Sequence, residues 1–600
     1  MSALRLALAQ IDTTVGDIAG NSTAVLDGTR AAAAQGAHLV AFPELTLTGY
    51  PPEDLVLRES FQRASRAAVT DLARRLGSEG LGDIAVVIGY VDGVDGVDGV
   101  DGVDSVDSVD SGEGVGGVGR SARNSAALLL GGRVVATYDK HFLPNYGVFD
   151  EARYFRRGDR FVVVRLHGID IALTICEDLW QDGGPMAVAG RAGVGLVLTI
   201  NASPYERTKD DARLDLTARR AREARAAVAY VNAVGGQDEL VYDGDSLVVD
   251  AAGTLIARAQ QFEETMFVVD LDLPAASSEV TGDLLDMRIE RYETGTAPVP
   301  AYPAERPFVC ERLSDEAEIY AALVTGTRDY LRKCGVRDVY LGLSGGIDSA
   351  LTATIAVDAL GPERVHAIAL PSRYSSDHSL TDAEDLARRQ GIGYDIVPIA
   401  PLVAAFDDAL ALDGLAAENL QARVRGIVLM GLSNQHPQSI VLTTGNKSEL
   451  ATGYSTLYGD SAGGFAPIKD VVKTMVWRLA AWRNSEADKR GETPPIPPNS
   501  ISKPPSAELS SGQLDSDSLP AYAALDAVLI DYVDNDLGWS ELMQRGHDPA
   551  VVERVLRLVD RAEYKRRQYP PGPKISARAF GRDRRLPIAS RWQETAPHQT

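Results

Sequence analysis

The feature that most constrains this chain is an exchange of short β-rich runs with helical runs, which occurs twice and is parted by a proline-rich stretch. In the first half, strand character falls on Leu4–Ile11, His38–Phe42, Ile84–Tyr90, Ala126–Leu130, Arg133–Tyr138, Phe161–Leu166, Asp170–Ile175, Gly195–Ile200, Ala229–Ala233, Ser246–Asp250 and Met266–Asp270. Ser22–Ala34, Phe61–Leu76 and Asp210–Ala227 read as helices, and Gly131-Gly132 and Ala252-Gly253 as hairpin turns. A chain that mixes hairpins with βα units is expected to fold as a layered α/β sandwich. At 600 residues it is too long for a single core. Pro274 to Phe308 reads as an irregular linker. Ser314–Cys334 then opens a second α/β region with strands at Val339–Leu343, Val365–Ala369 and Ile440–Thr443. A Pro- and Ser-rich loop is expected over Gly491–Ser518, followed by helices at Leu525–Tyr532 and Ala550–Tyr564. The expected divisions are 1–273, a linker at 274–313, and 314–600.

Val91–Gly119 interrupts the pattern with an acidic, glycine-rich triplet repeat, VDGVDGVDGVDGVDSVDSVDSGEGVGGVG. It has no pattern that would offset its ordering entropy, so 91–119 reads as a flexible insertion in a surface loop. The triplet period does not match acidic calcium repeats. A formal charge of −24 repels nucleic acid, and no run of about 18 apolar residues is present to span a membrane. Small-molecule partners are expected, with neither nucleic acid nor membrane. Cys176, Cys310 and Cys334 form neither a disulfide framework nor a pair with zinc-ligand spacing, which suits a cytoplasmic location. The N-terminus MSALRLALAQID lacks the basic region and long apolar stretch of a signal peptide.

Glu44, Lys140 and Cys176 each end a strand, after HLVAFP, RVVATYD and DIALTI. A carboxylate, an ammonium and a thiol in one site would supply a proton carrier, an oxyanion stabiliser and a nucleophile. An ammonium beside the thiol is expected to lower its pKa. Taken singly, a cysteine ending a buried strand is more often a small core residue, Glu44 a cap, and Lys140 a surface charge. Their contexts are FPELTLTGYPPEDL, YDKHFLPNYGVFDEARYF and LTICEDLWQD, and together these resemble the nitrilase, or carbon–nitrogen hydrolase, superfamily over residues 4–273. The resemblance implies an αββα sandwich with Glu44 as general base, Lys140 as oxyanion stabiliser and Cys176 as nucleophile. Glu151, in FDEAR, matches a further glutamate of that family. INASPYERTK is similar to the block that offers Ser203 and Lys209 to a glutamine substrate, and Tyr146 and Glu177 match further glutamine-site positions.

In the second half, DVYLGLSGGIDSALTATIAVDAL sets a glycine-rich loop between a strand and a helix. Glycines admit phosphate oxygens to backbone amides, and the helix N-terminus favours anions. The Lys-Ser/Thr ending of a Walker A loop is missing. SGGIDS resembles the phosphate loop of N-type ATP pyrophosphatases, which implies a Rossmann-like parallel-sheet domain that binds ATP through Gly342, Leu343, Ser344, Gly345, Gly346, Ile347, Asp348 and Ser349. Several amidating enzymes share that loop, including GMP synthetases and asparagine synthetases. VLTTGNKSELATGYSTLYGD, ENLQARVRG and SKPPSAEL resemble the NAD synthetases. The resemblance implies Thr444, Lys473 and Ser506 as ATP contacts and Asp348 and Glu449 as Mg2+ ligands. It places Asn419, Arg423, Glu449, Tyr454, Ser455, Thr456, Leu457, Asp460 and Lys565 at deamido-NAD or its adenylate. Together the two halves imply amidation of deamido-NAD by ammonia drawn from glutamine, a sheltered passage for that ammonia, and a large homo-oligomer. Another glutamine amidotransferase on the same ATP scaffold is the alternative.

Overall fold

A computed structural model describes residues 2–93, 122–295, 299, 302–304, 308–510 and 512–595. The acidic repeat at 94–119 lies outside the described residues, and Val91–Gly93 end a strand. The chain packs as two compact units. The first comprises Met1–Ser203, Asp210–Val234 and Gly244–Glu311; the second comprises Pro204–Lys209, Gly235–Asp243 and Arg312–Thr600.

In chain order the first half runs β1 (Ser2–Gln10), α1 (Ile18–Ala34), β2 (Leu39–Ala41), α2 (Glu59–Ser78), β3 (Ala85–Gly93), β4 (Ala122–Leu130) and β5 (Arg133–Asp139). It continues through α3 (Glu151–Tyr154), β6 (Arg160–Leu166), β7 (Ile169–Ile175), α4 (Glu177–Trp180), α5 (Gly184–Ala192), β8 (Leu196–Asn201), α6 (Lys209–Ala224) and β9 (Ala227–Asn232). The strands β10 (Val234–Gln237), β11 (Leu240–Asp243), β12 (Leu247–Val249), β13 (Leu255–Arg258), β14 (Thr265–Leu273), β15 (Gly282–Leu284) and β16 (Met287–Glu293) complete it. One sheet has the order β14-β1-β2-β3-β4-β5 and another β13-β12-β9-β8-β7-β6-β16-β15.

Strand alternation explains the layers. Leu4, Leu6 and Leu8 of β1 point into a core shared with Val162, Ile171, Leu173 and Leu198 of the second sheet. Ala7 and Ala9 point the other way, onto Val25 and Leu26 of α1 and Val69 and Leu72 of α2. Strands β7 and β8 are buried along their whole length, because their second face is covered by Met186 and Val188 of α5 and Leu216 of α6. The result is the expected αββα sandwich. Both glycine- and alanine-glycine turns close hairpins, β4–β5 and β12–β13.

Three element expectations need correction. Pro274–Phe308 is not irregular throughout: it holds β15 and β16, and β16 runs parallel to β6 from Arg288 opposite Arg160 to Glu293 opposite Arg165. Met287 and Ile289 are buried at a period of two, a signal masked by the proline-rich flanks. The helix expected through Ala227 stops at Ala224, because Arg225 turns left-handed (φ 54°) and Ala227 starts β9. The loop expected over Gly491–Ser518 contains a short helix, Pro498–Ser502, started by its prolines.

The second half runs α7 (Asp315–Lys333), β17 (Asp338–Gly342), α8 (Ile347–Leu360), β18 (Val365–Ala369), α9 (Asp377–Gln390), β19 (Gly393–Ile396), α10 (Ala400–Leu410), α11 (Gly414–Asn434), β20 (Ser439–Val441) and α12 (Lys447–Thr452). Helices α13 (Lys473–Lys489), α14 (Pro498–Ser502), α15 (Tyr522–Leu529), α16 (Trp539–Gln544), α17 (Pro549–Arg561) and α18 (Glu563–Arg566) follow. The sheet β19-β18-β17-β20 is parallel throughout, as expected, and its central strand β17 feeds the glycine-rich loop. Among the described residues no helix is long and apolar enough to cross a membrane.

Candidate functional site

In the first unit, Glu44, Lys140, Glu151 and Cys176 converge. Glu44 sits on a turn after β2 that packs hard against β3. A Cβ at Gly89 would lie 2.1 Å from the Leu45 amide nitrogen, so only glycine lets β3 pass behind that turn. Lys140 follows β5, and its ammonium donates to Glu44 Oε1 at 2.6 Å and Glu151 Oε1 at 2.8 Å. Asn124 Nδ2 donates to Glu44 Oε1 at 2.7 Å, the Ala202 amide to Glu44 Oε2 at 3.0 Å, and the Tyr50 hydroxyl to Glu151 Oε1 at 2.9 Å. Glu151 Oε2 is buried with no hydrogen-bond partner.

Cys176 follows β7 and precedes α4, and its backbone is left-handed (φ 44°, ψ −94°). A non-glycine residue in that region stores about 1–3 kcal/mol of strain, which the surroundings must hold. Asp178 does much of that holding. Its buried carboxylate accepts from the Ile175, His141 and Phe142 amides at 3.0, 3.1 and 2.9 Å and from the Tyr138 hydroxyl at 2.7 Å. These donors come from β5, β7 and the segment after Lys140, so one side chain ties the Cys176 turn to the strand that carries Lys140. Replacing Asp178 by alanine leaves four donors unpaired, three of them buried. It is expected to lower stability by at least about 3 kcal/mol, read as a fall in the denaturant midpoint.

The electrostatics differ from the sequence expectation in one respect. Burial works against the Lys140 ammonium, but Glu151 and Glu44 outweigh it and hold its pKa well above the lysine range. The Cys176 thiol is pushed up, not down: burial is the largest cause and Glu44 adds to it, while Lys140 alone pulls downward. Burial and the neighbouring carboxylates thus disfavour a thiolate at Cys176. Burial raises Glu151 to about 7 despite Lys140.

The glutamine-site candidates are less gathered. The Tyr146 hydroxyl donates to Glu177 Oε2 at 2.9 Å beside Cys176. Ser203 is buried and its amide donates to Asn232 Oδ1 at 2.9 Å. Lys209 donates to the Pro204 carbonyl at 3.0 Å and belongs to the second unit.

In the second unit, the loop Gly342–Gly346 joins β17 to α8. Gly345 is left-handed (φ 76°), and a Cβ there would lie 2.3 Å from the Ser379 carbonyl, so the turn requires glycine. The Ser500 hydroxyl donates to the Gly345 carbonyl at 2.9 Å, and the Ser344 and Ser349 hydroxyls meet at 3.1 Å. Asp348, in the first turn of α8, accepts from Asn446 Nδ2 at 2.9 Å and pairs with the Lys473 ammonium. Lys473 also reaches Glu449 Oε1 at 3.5 Å. Asn446 caps α12 in a capping box with Glu449, which aims Glu449 back toward the loop. Burial, then Asp348, push the Glu449 carboxyl up to about 8, with Lys473 pulling the other way. Thr444 lies between β20 and this cap.

A second group surrounds the 453–460 loop. The Thr456 hydroxyl donates to Asn419 Oδ1 at 2.8 Å and its amide to Asp460 Oδ1 at 2.7 Å. Arg423 Nε donates to the Leu457 carbonyl at 3.2 Å, and Lys565 to the Gly453 and Ser455 carbonyls at 2.7 and 2.6 Å. The Tyr454 amide donates to the Glu449 carbonyl at 2.9 Å, which links this group to the first. Burial raises Asp460 to about 6 against the pull of Lys565. Ser506 stays apart: its hydroxyl is spent on Gln513 and Glu508 of its own loop. Sequence reading missed Asn124, Asp178 and Asn446. The last two stand inside CEDLW and GNKSE, so proximity to the motifs was the available signal.

Residues 5–278 match the family model for carbon-nitrogen hydrolase and residues 319–569 that for NAD synthase. The chain is 42% identical to the glutamine-dependent NAD(+) synthetase of Thermotoga maritima, over 99% of this chain and 100% of the relative. It is 41% identical to that of Acinetobacter baylyi over 99% of each. The solved glutamine-dependent NAD+ synthetase of Acinetobacter baumannii, in complex with ADP, is 39% identical, covers 99% of this chain and all of its own, and superposes with a TM-score of 0.69. That of Cytophaga hutchinsonii, 21% identical over 98% of each chain with a TM-score of 0.76, shares the fold. With both halves matched and about two residues in five shared along nearly the whole length, the chain belongs to the glutamine-dependent NAD(+) synthetase family.

Proposed function

We propose that this chain converts deamido-NAD to NAD with ATP, using ammonia that it releases from glutamine, and that the first unit carries the glutaminase and the second the synthetase. One observation carries the reading. A single chain holds the Glu44–Lys140–Glu151 network around Cys176 and the Asp348–Lys473–Glu449 cluster behind a phosphate-type loop, each suited to one half of the reaction.

In the glutaminase reaction Cys176 Sγ attacks the side-chain carbonyl carbon of glutamine while its proton passes to Glu44. Burial disfavours a free thiolate here, so in this reading the proton moves as the carbon–sulfur bond forms. Lys140 and the amide of Glu177 hold the developing oxyanion. Glu44 returns the proton to the leaving nitrogen and ammonia departs; water then attacks the thioester with Glu44 taking its proton, the C–S bond breaks, Sγ recovers that proton and glutamate leaves. Glu151 shares the Lys140 ammonium and so keeps it in place. Tyr146, Glu177 and Ser203 take the rest of the glutamine.

In the synthetase reaction the nicotinate carboxylate of deamido-NAD attacks the ATP α-phosphorus and pyrophosphate leaves. Ammonia then adds to the adenylate carbonyl and AMP leaves, giving the amide. Residues 342–349, Thr444 and Ser506 receive ATP, Lys473 balances charge at the α-phosphate, and Asn419, Arg423, Tyr454–Leu457, Asp460 and Lys565 receive the dinucleotide. The donor set fits Mg2+, since Asp348 and Glu449 offer hard carboxylate oxygens and already share one cation, the Lys473 ammonium. Asp348 and Glu449 would hold the metal, which neutralises phosphate charge when bound. Ammonia is largely protonated in neutral water, so a sheltered transfer belongs to this reading, as does a cytoplasmic homo-oligomer whose assembly light scattering would measure.

The test is product formation from deamido-NAD, ATP, magnesium and glutamine, run beside xanthylate and aspartate. NAD, AMP, pyrophosphate and glutamate in equal amounts are expected. Turnover of another acceptor but not of deamido-NAD would replace this reading with another amidotransferase.

A further inference from the structure

Helix α15 carries a buried carboxylate with no role in the reaction as derived so far. Asp526 is 2% exposed, and its two oxygens hold two different elements. Oδ1 accepts from the Ser448 hydroxyl of α12, and Oδ2 accepts from the Thr474 amide of α13 at 2.7 Å. The Ser448 oxygen in turn accepts from the Lys473 amide at 2.9 Å. Ser448 immediately precedes Glu449, and Thr474 immediately follows Lys473. The backbones that present the Glu449 carboxylate and the Lys473 ammonium are thus joined through one side chain. One turn earlier on the same face of α15, the Tyr522 ring lies 5.4 Å from the Lys473 ammonium, and its hydroxyl donates to Asp515 Oδ2 at 2.7 Å. Two residues of one helix therefore brace Lys473, one at its backbone and one at its head.

We propose that Asp526 is a positioning residue for adenylation, which sets the spacing of Glu449 and Lys473 by clamping Ser448 to the start of α13. The proposal rests on the reading that Glu449 and Lys473 act at ATP. A carboxylate is needed because each of its oxygens accepts and neither donates. In Asp526→Asn one of the two positions turns into a donor and faces either the Thr474 amide or the Ser448 hydroxyl. The Thr474 amide cannot reverse its role, so the new amide nitrogen faces Ser448, whose hydroxyl hydrogen loses its acceptor and must turn away, and that arm of the clamp twists.

The experiment uses the full-length protein with ammonium as nitrogen source and compares wild type with Asp526→Asn, Ser448→Ala and Lys473→Ala. For Asp526→Asn the expected results are a fall in kcat of about 10–100-fold and an upward shift of about tenfold in the magnesium concentration at half-maximal rate, as for outer partners of metal ligands. KM for deamido-NAD should stay within about twofold, and calorimetric titration with magnesium–ATP alone should show weaker binding. Ser448→Ala should move the same quantities in the same direction by less. A merely structural carboxylate would lower the unfolding temperature and the active fraction without moving the magnesium midpoint. That pattern, or wild-type kcat and midpoint in a folded Asp526→Asn, overturns the proposal. If Asp526→Asn does not fold, Ser448→Ala decides by the same two quantities. Loss of synthesis in Lys473→Ala with none in Asp526→Asn removes the positioning role alone, whereas full activity in both removes the ATP-site reading beneath it.

Discussion

Replacing Cys176 by alanine is expected to lower glutamine-supported NAD formation by at least about 10³-fold while ammonium-supported formation stays within about twofold of wild type. The change removes one sulfur from a buried turn and leaves the backbone demand untouched, since alanine tolerates the left-handed conformation no worse than cysteine does. Asp178 continues to hold the turn through the Ile175, His141 and Phe142 amides, so the turn survives the loss of the sulfur. Glutamate release and NAD formation, measured with each nitrogen source, check it. Loss of both activities in a folded variant would contradict two chemically separate sites.

Lys473→Met is expected to do the opposite, reducing synthesis about 10²–10³-fold with glutamine and with ammonium alike. Methionine keeps the length of the stem and deletes the charge that Asp348 and Glu449 share. Burial works against that ammonium, yet the two carboxylates outweigh it and hold its pKa above the lysine range. Without it, Glu449, whose carboxyl burial and Asp348 already push up to about 8, takes a proton rather than remaining a buried anion. The fold then survives while the cation that Asp348 and Glu449 share is lost. Glutamate release from glutamine should continue, which separates this outcome from unfolding; synthesis within about tenfold of wild type would remove Lys473 from the chemistry.

Much of both sites was legible along the chain, for a local reason. The SGGIDS loop, the capping box in NKSE and the strand-ending positions of Glu44, Lys140 and Cys176 are short-range features, set by backbone preferences over a few residues. The β15–β16 hairpin was hidden because β16 pairs with β6, more than a hundred residues earlier, and because Pro274 before it and the prolines from Pro298 onward made the whole stretch read as a linker. Asn124, Asp178 and Asp526 were hidden for a related reason. Each is an ordinary polar residue until a distant element arrives: Asn124 reaches Glu44 across 80 positions and Asp526 reaches Ser448 across 78.

The sequence by itself determined which chemical groups each half brings together, because a thiol, a glycine-rich turn and their flanking carboxylates are written as residue types at short spacing. Tertiary structure alone decided how those groups are charged. The ammonium after β5 was expected to lower the Cys176 pKa, and the folded chain raises it, since enclosure by two sheets and the carboxylate of Glu44 outweigh one lysine. That sign depends on a sum of burial and charge over elements far apart in the chain, and no window of neighbouring residues contains it.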